Sequence, residues 1–78
     1  MKGVTGLALI RGRCRLRYLL AREKMRQVDL TERTGYSRQQ ISNWVNNREL
    51  MSWDAGIAVS YVLNCHMEEL YEIENIRA

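Results

Sequence analysis

Apolar residues in this 78-residue chain recur at intervals of three and four, not two. That spacing predicts amphipathic helices, and no run of alternating β-branched residues bounded by turn dipeptides competes with it. Leu16, Leu19 and Leu20 predict a first helix from about Gly12 to Lys24. Val28, Leu30 and Thr34 predict a second from about Arg26, stopped by Gly35 in a left-handed turn. Ser37 is suited to cap a third helix, which the pattern carries to Asn47. Ser52 and Asp54 mark the start of a fourth, with Trp53, Ile57, Val59, Val62 and Leu63 as its apolar positions. Asn64 fits the next stop. His66 then stands as a cap, and Met67, Leu70, Tyr71 and Ile73 give a fifth, acidic helix its stripe.

The third helix is the most informative. At about 100° per residue, Ile41, Trp44 and Val45 share one face. Gln39, Asn43 and Asn46 share the opposite one, flanked by Arg38 and Ser42. Amides cluster poorly on helices for stability alone, because Asn and Gln are mediocre helix formers. They are also the side chains that bond adenine edges in pairs, as Arg bonds guanine. Asn46 and Asn47 end the helix, since Asn tolerates the left-handed conformation.

Charge sharpens this reading. The net charge is +3, yet residues 11–48 carry +7 and residues 49–78 carry −5. A basic half attracts and steers a polyanion. Arg11, Arg13, Arg15 and Arg17 add long-range attraction around the start of the first helix. One domain is expected at this length: an N-terminal arm over 1–11 and a folded domain over 12–78. No apolar run reaches the roughly 20 residues of a membrane span, so a cytoplasmic protein is expected. Cys14 and Cys65 have no metal-ligand spacing and read as reduced thiols at packed positions. No Gly-rich phosphate loop, nucleophile set or metal cluster is legible, so neither enzyme activity nor a cofactor is expected. Trp44 reads as core. Trp53 suits either core or a dimer surface.

The order of these signals resembles the lambda-repressor-like, Cro-type (XRE) helix-turn-helix family, over roughly Gly12 to Tyr71. Gln27 matches the family's opening Gln, Leu30 its buried Leu, Gly35 its turn, Ser37 its hydroxyl, and Ile41-Ser42 its core pair. The resemblance implies an all-α, compact five-helix domain with the helix-turn-helix at helices 2 and 3. It implies a sequence-specific regulator that binds double-stranded DNA as a homodimer, with base reading by Arg38, Gln39 and Asn43. Gln27, Ser37, Gln40, Ser42, Asn46, Asn47 and Arg48 would contact or flank the DNA backbone. The acidic half, with Leu70, Ile73 and Ile76, is a candidate dimer surface or equally the core of the fifth helix. A protein-interaction module on the same fold, such as an antitoxin, antirepressor or adaptor, is the alternative. The chain departs from the family at Leu20 and Val45, where an Arg and a Glu often pair, and at Thr31, where Ala is usual. Asn47 stands where Gly is common.

Overall fold

The computed structural model describes residues 8–76. Four helices form the body: α1 (Leu16–Arg22), α2 (Gln27–Thr34), α3 (Arg38–Val45) and α4 (Trp53–Val62). The chain ends outside them pair as an antiparallel two-stranded sheet, β1 (Leu9–Cys14) with β2 (Tyr71–Asn75). The fold is therefore mainly helical, and the five-helix, all-α expectation is corrected at both ends.

The first correction concerns the start. The first helix begins at Leu16 and not at Gly12, because residues 9–14 are extended. Gly12 is what allows it. A Cβ there would lie 3.0 Å from the Glu72 Cβ and 3.3 Å from the Glu72 carbonyl oxygen. The register shifts between Arg11 and Cys14, so the strand is irregular where that close approach occurs.

The second correction concerns the end. The fifth helix reduces to one 3-10 turn, Met67–Glu69. His66 caps it as expected, its backbone N–H donating to the Glu69 carboxylate at 2.8 Å. The helix then fails to propagate, because the Leu70 carbonyl accepts the Arg15 N–H at 2.8 Å. Leu70 itself is buried at 2% exposure. Beyond it, Tyr71-Glu72-Ile73-Glu74 alternates apolar with acidic, a strand pattern once a partner is present.

Leu16, Leu19, Leu20, Leu30, Ile41, Trp44, Val45, Ala55, Val59, Leu63 and Leu70 make one core. Leu20 and Val45 are both in it, so two packed hydrophobes occupy the place of the family's frequent ion pair. Thr31 fits less well. Among the described residues its hydroxyl and the Trp44 indole N–H are buried without a hydrogen-bond partner. Trp44 instead meets Tyr36 edge to face, with ring centroids 5.2 Å apart. Ile57, read as a core position of the fourth helix, is exposed, and Trp53, read as core or dimer surface, is 74% exposed and so outside the core. Only the side of α4 bearing Ala55, Gly56, Val59 and Ser60 faces inward. Cys14 and Cys65 are free and half-buried, and burial pushes both thiols up from the ordinary value. No helix among the described residues is long and apolar enough to cross a membrane.

Candidate nucleic-acid interface

The interface is built on α3 by three local devices. Gly35 ends α2 with φ 83°, and its N–H reaches the Thr31 carbonyl at 2.8 Å. That left-handed residue turns the chain sharply and sets α3 across α2. Ser37 then caps α3, its hydroxyl oxygen accepting the Gln40 N–H at 3.0 Å. Ile41, Trp44 and Val45 bury the back of α3 in the core. With the back pinned, the front is fixed: Arg38, Gln39 and Asn46 are exposed, and Gln40, Ser42 and Asn43 are half-exposed.

The helix end is held by its asparagines. Asn47 adopts φ 60°, and the N–H groups of Arg48 and Glu49 both return to the Asn43 carbonyl, at 2.8 and 3.3 Å. The Asn47 side-chain oxygen accepts the Cys14 N–H at 2.8 Å. It thereby ties β1 to the C-terminal end of α3, a role that glycine could not fill. Asn46 donates to the Ser42 carbonyl at 2.9 Å and to its hydroxyl at 3.2 Å. Its oxygen accepts from Arg17 at 2.8 Å. Arg17 is thus brought from α1 to the end of α3, joining a surface on which the sequence suggested only its charge.

The amides on the front also bond one another. The Gln39 amide nitrogen donates to the Asn43 side-chain oxygen at 2.9 Å. The Asn43 nitrogen in turn donates to the Glu49 carboxylate at 3.2 Å. Glu49 comes from the loop after α3 and was read only as part of the acidic half. The signal for it was Asn47, whose tolerance of the left-handed conformation lets the chain fold back over the helix. By contrast, the Arg38 side chain makes no hydrogen bond or ion pair among the described residues. Arg38 and Arg48 are both exposed.

The start of α2, expected to anchor a phosphate through Gln27, is partly filled. Asp29 sits in its first turn and accepts the Arg26 backbone N–H at 2.8 Å. That bond first, and the Arg26 guanidinium second, hold the Asp29 carboxyl below its usual range. Gln27 itself is half-exposed at the first position of the helix. The four N-terminal arginines are used unequally. Arg15 donates to the Glu69 carbonyl at 3.2 Å and lies over the Tyr18 ring. Arg11 lies over Tyr71, on a strand paired with the acidic β2. The register sets Ile10 opposite Glu74 and Arg11 opposite Ile73, and no ion pair joins β1 to β2 among the described residues.

Comparison with known proteins agrees with this geometry. No match is found among curated proteins. The fold is similar to that of the transcriptional regulator VanUg, whose crystal structure superposes with a TM-score of 0.66 at 22% identity, covering 86% of this chain and 88% of that one. A family model for the Cro/C1-type helix-turn-helix DNA-binding domain matches residues 15–75. With α2, the Gly35 turn and α3 inside that span, the chain belongs to the Cro/C1-type helix-turn-helix DNA-binding family.

Proposed function

We propose that this protein is a sequence-specific transcriptional regulator that lays α3 in the major groove of double-stranded DNA. The observation carrying the reading is the front of α3: Arg38, Gln39 and Asn43 stand outward together, opposite a buried Ile41, Trp44 and Val45. Such a face offers base edges paired donors and acceptors, and no apolar side chain intrudes on it. Arg38, Gln39 and Asn43 read bases. Gln27, Ser37, Gln40, Ser42, Asn46 and Arg48 meet or flank phosphates, and Asn47 does so through its amide nitrogen. Repression by blocking a promoter in the bacterial cytoplasm is the mode this module suits.

A single module of this size makes few contacts, so the protein acts as a homodimer on a two-fold site. Of the three residues first considered for the dimer surface, Leu70 belongs to the core, whereas Ile73 and Ile76 are exposed. Trp53, Ile57 and Tyr61, four residues apart on α4, form a further exposed apolar stripe. The same stripe favours the second reading, a module that docks on another protein.

Selection of bound duplexes from a random pool, followed by footprinting, tests the proposal. The expected product is an inverted repeat with half-sites about 10–10.5 bp apart, or a multiple of that spacing. A pool that shows no enrichment, with no salt-dependent binding of random duplex, would leave the protein-docking reading in its place.

A further inference from the structure

Glu49 is an anomaly on a surface read as meeting DNA. It is exposed and forms no ion pair among the described residues. A carboxylate there repels phosphate, so it lowers affinity for duplex of any sequence. Among the described residues its one side-chain hydrogen bond is to Asn43, and its backbone N–H is held by the Asn43 carbonyl. Glu49 is therefore anchored twice to the residue at the centre of the reading face.

The direction of the bonds follows from chemistry. A carboxylate only accepts, so Asn43 must turn its NH2 toward Glu49. The Asn43 oxygen then faces Gln39, which must answer with its own NH2, as the 2.9 Å and 3.2 Å contacts record. Reversing either amide would set oxygen against oxygen. One side chain in the loop thus fixes the orientation of two amides on the helix. Gln39 is left with its oxygen and one N–H uncommitted, the acceptor and donor that an adenine edge requires.

We propose that Glu49 is a specificity-determining, positioning residue: it locks the Asn43 and Gln39 amides in one orientation, so that Gln39 presents an adenine-complementary pair. The inference rests on the DNA-reading assignment above. Glu49 touches no base itself. Its charge penalises every duplex alike, so the discrimination comes from the locked amides and not from the repulsion.

The test uses the full chain and random-pool selection, performed on the wild type, Gln39→Ala, Glu49→Gln and Glu49→Ala. Gln39→Ala identifies the base pair that Gln39 reads. Glu49→Gln keeps the shape but can donate as well as accept, so it frees both amides to turn. Both Glu49 variants should lose discrimination at that same base pair, by at least about fivefold, and bind random duplex more tightly. Unchanged preference at that base pair in both variants overturns the proposal, as does relaxation at a different base pair, since Glu49 would then read a base directly. A uniform loss at every position with a lowered thermal midpoint makes Glu49 merely structural and also overturns it. A wild type that selects no sequence removes the DNA-reading assignment itself, and the proposal with it.

Discussion

At the scale of single residues, the interface divides into side chains that are already bonded and side chains that are not. Gln39, Asn43 and Asn46 are bonded within the protein. Arg38 is exposed and unbonded among the described residues, which suits it to a contact made only with DNA. Arg38→Ala should therefore cost about 1–3 kcal/mol at one guanine position and leave other positions unchanged. Competition binding with a set of single-base operator variants measures this. An equal loss on all duplexes would reassign Arg38 to a phosphate. Thr31 illustrates the opposite case. Its hydroxyl is buried without a partner where the family usually has Ala, an arrangement that costs stability and adds nothing to the surface.

At the scale of elements, short turns of helix depend on what fills their N-terminal ends. Asp29 and Glu69 each accept the backbone N–H three residues earlier, at 2.8 Å. That bond is the main reason each carboxyl lies below its usual range. A carboxyl with a depressed native pKa adds stability above its unfolded value, about 4 for these groups. The contribution is lost as pH falls through the lower native value. The thermal midpoint should accordingly drop as the pH falls below about 4, and an Asp29→Asn, Glu69→Gln double variant should show a flatter acid limb. Superimposable limbs for the two proteins would remove this role. Element boundaries also show what sequence could reveal. Gly35, Ser37 and Ser52 announced their turns and caps because those roles are local. The front of α3 was legible because burying Ile41 and Trp44 leaves its amides no other side. β2 was not legible, because Met67, Leu70, Tyr71 and Ile73 fit a helical stripe as well as a strand. What decided was Arg15 capturing the Leu70 carbonyl from more than fifty residues away, which no local pattern encodes.

At the scale of the whole molecule, α1 to α4 pack through contacts between near neighbours in sequence, while β1 and β2 join residues as distant as Leu9 and Asn75. Closing a loop of about 60 residues costs on the order of 4 kcal/mol, so the helices should assemble first and the sheet last. Gly12→Val, which crowds Glu72, should then speed unfolding severalfold and leave the folding rate nearly unchanged in stopped-flow experiments. A matching drop in the folding rate would place the sheet in the folding nucleus instead. The register has a mechanical consequence as well. Leu9 and Asn75 are partners at the open end of the ladder, with Cys14 and Tyr71 at the inner end. Tension applied to the two ends of the domain would meet one rung at a time, peeling the strands like a zipper before any load reached α3, so the reading head would stay assembled while the tether gave way.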